Sequence, residues 1–174
     1  SWCVSGIQDF TDLFSAERNP AMASFNADIS QWDVSSAKDV DYMFRGSAFN
    51  QDISSWNVAN VEWFYGMFYN CPNFNADLSA WDTSSAVNTA YMFYNASSFT
   101  SDLSSWDVSK VTNMAGMFYN AASFRPGQQD FATWNTGLVT DMSYMFYGVP
   151  WLLVDLSSWD VSMVTNMRSM FYSA

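Results

Sequence analysis

The stretch FTSDLSSWDVSKVTNMAGMFYNAAS, residues 99–123, decides the fold, because the rest of the 174-residue chain repeats it. Its tryptophan, Trp106, belongs to a set of tryptophans that are each followed twelve residues later by a phenylalanine. The members of this set are Trp2, Trp32, Trp56, Trp81, Trp106, Trp134 and Trp159. The sequence therefore predicts a single repeat array over residues 1–174, which we expect to be part of a longer chain.

The apolar residues of this stretch predict the structure of one copy. Leu103-x-x-Trp106-x-Val108 matches the apolar spacing of a leucine-rich repeat, and its alternation is typical of a short strand. The next apolar residues recur every three or four positions, which predicts a short helix or 3₁₀ turn. These residues are Val111, Met114, Met117 and Phe118. Asn120 then occupies a slot that is typical of a left-handed helix stop.

Stacking such copies would bury one continuous core, with the tryptophans inside it. The expected fold class is an α/β solenoid, a right-handed coil like that of leucine-rich repeats. A parallel β-sheet would lie on one face of this coil and short helices on the other. Insertions break the period at residues 16–24 and 125–129, and a smaller one surrounds Pro150 and Trp151.

Composition excludes several classes of protein. The formal net charge is −11 with only six basic residues, so we expect no nucleic-acid partner. No apolar run reaches about 18 residues, so we expect no direct insertion into a membrane. Histidine is absent and there are two cysteines, which removes the usual catalytic triads and zinc sites. We therefore expect no enzyme, no catalytic residue and no cofactor.

The repeated string F-N-x-D-I/L-S-x-W-D-V-S-x-V-T-N-M-x-x-M-F-Y-N-A appears over residues 49–56 and again over residues 102–121. It resembles the BspA-like leucine-rich repeats of surface proteins, and the same pattern occurs in repeat lipoproteins of cell-wall-less bacteria. The resemblance implies a secreted or cell-surface protein that acts in adhesion or partner binding. It implies no common catalytic residue.

Two acidic columns recur around the tryptophans. The first lies four residues before each tryptophan, where a carboxylate can accept backbone N–H bonds and fix a turn. The second lies one residue after it, where we expect the side chains to project from the exposed sheet face. Calcium is the functional interpretation of the second column, and a solvated acidic surface is the alternative. Its calcium candidates are Asp33, Asp82, Asp107 and Asp160.

Aromatic residues outside the core pattern are the candidates for partner contact. A tyrosine column follows the repeated phenylalanine, and its rings could contact sugars or protein, or could cover the neighbouring copy. Trp63 occupies a position that is polar in the other copies, so it is either an exposed contact or buried under a loop. The tyrosine candidates are Tyr69, Tyr94, Tyr119, Tyr147 and Tyr172.

These observations predict a non-enzymatic repeat module for adhesion or for recognition of a protein or glycan, outside the cell or at its surface. The alternative is a structural subunit or scaffold of a larger extracellular or membrane-associated assembly. In that case the end coils would stack on one another or on a partner.

Overall fold

The computed structural model describes residues 3–126 and 131–174. Trp2, Asp130 and part of the insertion at 125–129 lie outside this range. Two 3₁₀ helices are identified among the described residues, Pro20–Ser24 and Phe131–Thr133. The first begins with proline after Asn19, whose side chain accepts the N–H of Ala21 and so caps the helix. Within the described ranges there is no α-helix and no extended strand.

The expected α/β solenoid of the leucine-rich-repeat type is therefore wrong. No parallel sheet forms on one face, and no row of helices forms on the other. Trp106 and Val108 lie in irregular backbone, and residues 115–120 form successive turns. Parallel pairing is limited to isolated bridges seven residues after each tryptophan. These bridges join Asp9, Asp39, Trp63, Asn88, Asn113, Asp141 and Asn166 in that order.

Backbone hydrogen bonds either close turns within a copy or run in a regular set between neighbouring copies. We number positions by their distance from the tryptophan of each copy. The N–H groups at +8, +10, +12 and +14 donate to carbonyls at +7, +9, +11 and +13 of the next copy. Between the second and third copies these bonds are Val40–Trp63, Tyr42–Tyr65, Phe44–Met67 and Gly46–Tyr69, at 2.8–3.0 Å. Alternate N–H groups thus find partners without a helix or an extended strand.

One position is left-handed in every copy and a second from the second copy onward, and this explains why the apolar spacing of three does not produce a helix. The residue at +10 has φ between 51° and 58° in every copy. Such a residue cannot continue a right-handed helix. Position +14 is also left-handed, as the sequence predicted, from Gly46 to Ser173. The residues at +10 are Asp12, Tyr42, Gly66, Tyr91, Gly116, Tyr144 and Ser169.

The tryptophans lie in the core, as predicted. Five of them are 2–8% exposed, while Trp32 is only partly buried. Each of the five donates its indole N–H to a carbonyl of the preceding copy at 2.9–3.2 Å, so its polar atom is satisfied. The five are Trp56, Trp81, Trp106, Trp134 and Trp159.

Phenylalanine rings form the second part of the core. The rings at +12 stack along the molecule with centroids 5.6–6.2 Å apart. The first five of them also face a second phenylalanine at 3.7–4.1 Å, as Phe68 faces Phe74 and Phe93 faces Phe99. This double row fixes the register of neighbouring copies, and so it fixes the side chains on the outer surface.

Candidate functional site: the tyrosine face

All nine tyrosines of the chain lie at positions +9, +10 and +13, and their rings form one connected network. We call this surface the tyrosine face. It comprises Tyr42, Tyr65, Tyr69, Tyr91, Tyr94, Tyr119, Tyr144, Tyr147 and Tyr172. The repeat geometry places these rings together, because the bonds between copies bring equal positions of neighbouring copies side by side.

The tyrosine column at +13 forms a continuous stack. Successive rings from Tyr69 to Tyr147 lie 4.3–4.5 Å apart and within 16° of parallel. Tyr172 follows at 5.0 Å and is 60% exposed. The inner rings are covered on both faces by their neighbours, so the stack presents edges and hydroxyl groups outward. The predicted column therefore does cover neighbouring copies, and it remains partly exposed.

A second row of tyrosines lies at +10, where tyrosine alternates with glycine. Tyr42 lies over Gly66, and a Cβ atom added to that glycine would come within 2.5 Å of the ring. Tyr91 lies over Gly116 in the same way. Both glycines have a positive φ of 57°, which glycine adopts without strain. Because glycine has no Cβ, it also leaves room for the tyrosine ring.

Two arginines already bind rings of this face. The guanidinium carbon of Arg45 lies 4.6 Å from the centre of the Tyr42 ring and 5.0 Å from that of Tyr69. Arg45 stands at +13, where the next five copies have tyrosine, so it continues the stack. It also pairs with Glu17 at 2.5 Å. Arg168 lies 5.7 Å from the centre of the Tyr144 ring. The face thus accepts guanidinium groups against its rings.

Trp63 lies on the border of this face and is 41% exposed, so it is not buried under a loop and stays a candidate for partner contact. At +7 the other copies carry Asp or Asn, whose Oδ1 accepts the N–H two residues later. Tryptophan cannot do this. The N–H of Tyr65 instead donates to Oδ1 of Asp41, from the preceding copy, at 2.6 Å.

Ionisation on the face is shifted by burial and by neighbouring acids. The pKa of Asp41 rises to about 6, chiefly because burial disfavours its charge and then because Asp39 lies nearby. Burial, followed by a hydrogen bond with Tyr42, raises the pKa of Tyr65 to about 12. Burial also raises the pKa of Tyr91, Tyr94 and Tyr119. These phenols therefore stay neutral and keep their O–H donors at physiological pH.

The acidic columns form turns. In the copies where the structure describes the residue four before the tryptophan, its side chain accepts the N–H two residues later, as Asp102 does from Ser104 at 2.9 Å. From the second copy onward the residue after the tryptophan does the same. These Ser–Asp hydrogen bonds lower the pKa of most of the carboxyl groups, among them Asp33, Asp82, Asp107 and Asp160.

The calcium hypothesis gains no support from this geometry. The four candidate carboxylates are exposed but do not project from a sheet, because no sheet is present where they lie. In residues 3–126 and 131–174 no group of three or more Asp, Glu, Cys or His side chains could hold a metal ion. The carboxyl groups instead serve as acceptors for the backbone.

Sequence reasoning identified the +13 tyrosines and Trp63 but missed the other half of the face. Tyr42, Tyr65, Tyr91 and Tyr144 lie at +9 and +10, within the segment that we assigned to a helix. The signal that reveals them is the alternation of tyrosine and glycine at +10, together with the confinement of every tyrosine to three repeat positions.

Comparisons with known proteins give a family and no closer relative. In the part of the chain that the structure describes, no helix is long and apolar enough to cross a membrane. No curated protein and no solved structure matches the chain. The resemblance to BspA-like repeats is not tested by these comparisons and stays a prediction. One family model matches residues 1–105, 66–131 and 125–174, so the chain belongs to DUF285, a family described as Mycoplasma protein of unknown function.

Proposed function

We propose that this chain is a non-enzymatic recognition module that binds a protein partner through its tyrosine face. The observation that carries the proposal is the concentration of all nine tyrosines in one ring network, with Trp63 on its border. Tyrosine, tryptophan and arginine are the residues that contribute most to protein interfaces. A position outside the cell or on its surface, and a role in adhesion, rest on the resemblance to BspA-like repeats alone.

The ring geometry favours a protein over a glycan as the partner. A sugar stacks on the open face of an aromatic ring. In the +13 column the inner rings cover each other at 4.3–4.5 Å, so their faces are not accessible. The stack offers instead a row of edges and neutral hydroxyl groups, which suits hydrogen bonding and packing against a polypeptide. Such tyrosine-rich surfaces bind proteins at low entropic cost because each ring has few rotatable bonds.

A displayed library of random twelve-residue peptides tests this proposal. We expect the wild-type chain to select peptides whose affinity falls at least tenfold in the Tyr119→Ala variant and in the Trp63→Ala variant. Tyr119→Phe is the matched control for folding, because it keeps the ring stack and removes only the hydroxyl. A wild-type chain that selects nothing, or peptides that bind all variants equally, would contradict the proposal. Binding of a glycan panel that depends on Tyr119 would replace the protein partner with a glycan.

A second candidate function is that of a structural subunit in a larger assembly. The observation that favours it is the apolar surface of the last copy, where Val161, Met163, Met167 and Phe171 are 44–53% exposed. The residues equivalent to Val161, Met167 and Phe171 are buried in the central copies, whereas the position of Met163 is exposed or only partly buried there too. Stacking of this surface on a further repeat, in this protein or in a partner, would cover it. A rise in molecular mass with concentration, abolished by Phe171→Ser, is the expected result in light scattering.

A further inference from the structure

Carboxylates border one end of the tyrosine face. Asp9 and Asp39 occupy neighbouring bridge positions, and Asp41 lies within the range of both, together with Asp12. Farther along the same border stands Asp141, whose charge adds to the raised pKa of Tyr91. The negative charge is therefore close enough to act on the groups of the face itself.

The cations of the face do not neutralise this charge. Arg18 pairs with Asp12 at 2.8 Å, and Arg45 pairs with Glu17 at 2.5 Å. Arg168 lies over Tyr144. Six carboxylates thus stand against three guanidinium groups, while Lys38 and Glu62, at the adjoining position of neighbouring copies, add one charge of each sign. The carboxylates of Asp9, Asp39, Asp41 and Asp141 have no cationic partner in an ion pair of the described residues.

We infer that the partner of the tyrosine face is a cationic protein segment, rich in arginine or lysine, whose side chains lie between these carboxylates and the rings. The inference rests on the proposed function and adds the chemistry of the partner. The chain's own Arg45 shows the arrangement, since one guanidinium group contacts two tyrosine rings and a carboxylate together. The net charge of −11 would also speed the encounter with a basic partner.

The test uses three synthetic twelve-residue peptides that share the same tyrosine and leucine content and differ in carrying arginine, glutamine or glutamate. Titration calorimetry at low salt measures their affinities for the wild-type chain. We expect the arginine peptide to bind at least tenfold more tightly than the glutamine peptide, and the glutamate peptide to bind most weakly.

Two triple variants separate local from overall charge. The border variant carries Asp9→Asn, Asp39→Asn and Asp141→Asn, in a column where Asn88, Asn113 and Asn166 already form the same turn. The matched control carries Asp33→Asn, Asp82→Asn and Asp107→Asn, in a column where Asn57 and Asn135 do so. Both remove three negative charges and keep the acceptors. We expect the border variant to weaken the arginine peptide about tenfold and the control less than twofold.

The outcomes distinguish this inference from the proposed function. Equal weakening by both triple variants would show that only net charge matters, and would overturn the inference. So would an arginine peptide that binds no better than the glutamine peptide. In either case binding that still falls in Tyr119→Ala would leave the proposed function standing. If no peptide depends on Tyr119, the proposed function itself fails.

Discussion

At the scale of the residue, Asp41 combines two unusual features. Its carboxylate accepts the N–H of Tyr65 at +9. In the other copies this N–H is bound by the Asp or Asn side chain at +7, where this copy has Trp63. It does so in a half-buried place beside other acids, which raises its pKa to about 6. The tryptophan at position 63 is therefore linked to the Asp41 carboxylate, whose ionisation lowers the stability of the folded state.

Asp41→Asn should stabilise the protein at neutral pH. Because the pKa of the folded state lies above the ordinary value of 3.8, the stability that Asp41 contributes is present below about pH 4. It is lost as the pH rises through about 6. Asparagine keeps the acceptor for Tyr65 and removes the charge, so we expect a gain of about 1 kcal/mol at pH 7.5, allowing for solvent screening. Urea unfolding at pH 4 and pH 7.5 measures it.

The opposite sign serves as the control for Asp41. Asp107 has a lowered pKa, so the stability that it contributes is present above its ordinary value and is lost as the pH falls through its folded pKa. Asp107→Asn should therefore not raise the free energy of unfolding at pH 7.5. An Asp41→Asn variant with the same stability as the wild type at both pH values would contradict the assignment.

Gly66 tests the packing of tyrosine against glycine. Gly66→Ala would place a Cβ 2.5 Å from the Tyr42 ring at a left-handed backbone position. We expect a loss of about 2–4 kcal/mol in the free energy of unfolding, from backbone strain and overpacking together. Gly6→Ala is the matched control, because Gly6 is also left-handed but has no atom within 4 Å of the added Cβ. It should lose only about 1–2 kcal/mol.

A double variant decides between clash and strain at Gly66. In a Tyr42→Ser background the clash is gone, so Gly66→Ala should cost no more than Gly6→Ala does. Chemical denaturation of the four proteins of this cycle gives the coupling energy. If Gly66→Ala costs the same with and without the Tyr42 ring, the packing that we describe does not determine the glycine at this position.

At the scale of the element, the unit of this fold is a turn in which an Asp or Asn side chain accepts a backbone N–H. The copy of Trp106 closes three turns with Asp102, Asp107 and Asn113 at −4, +1 and +7, and each of these side chains accepts the N–H two residues later. Most described copies repeat these turns, with Cys3 at +1 and Trp63 at +7 as exceptions. The sequence signature is Asp-x-Ser, as in Asp102 to Ser104 and Asp107 to Ser109. These turns replace the strands and helices that hold other repeat proteins together.

Replacing one acceptor shows what a turn contributes. Asp107→Ala should leave the N–H of Ser109 without its 2.9 Å partner and lower the free energy of unfolding by about 1 kcal/mol. Asp107→Asn keeps the acceptor and should be nearly neutral, since Asn57 and Asn135 fill this position in other copies. Thermal unfolding of both variants compares them, and equal losses would show that charge and not the hydrogen bond stabilises the turn.

The elements also show where sequence reasoning succeeded and failed. The period, the buried tryptophans and the left-handed slot at Asn120 were predictable, because each depends on one residue type recurring at one position. The helix at Met114 to Phe118 was not, because an apolar spacing of three or four fits both a helix and a run of turns. The predicted strand at Trp106 was wrong as well, because the parallel bridges between copies lie seven residues after the tryptophan. Half of the tyrosine face was missed with the helix.

At the scale of the whole molecule, the bonds between copies hold equal positions of neighbouring copies side by side, so like charges recur along the molecule. Asp52 opposes the ionisation of Asp28, and Asp82 opposes that of Asp107. Against this repulsion the described residues contain two ion pairs, Arg18–Asp12 and Arg45–Glu17. Screening by salt should therefore weaken more repulsion than attraction in the folded state.

Salt should accordingly stabilise this protein. Raising sodium chloride from about 10 mM to about 500 mM shortens the Debye length from about 30 Å to a few ångströms, which screens the carboxylate columns. We expect the Tm to rise by about 2–4 °C, equivalent to about 1 kcal/mol for a chain of this size. The Asp33→Asn, Asp82→Asn and Asp107→Asn triple variant removes three of these charges, so its Tm should gain less from added salt than that of the wild type. Calorimetry of both proteins across the salt series measures the two Tm values. A wild-type Tm that falls with salt, or an equal dependence of Tm on salt in both proteins, would show that repulsion between copies does not limit stability.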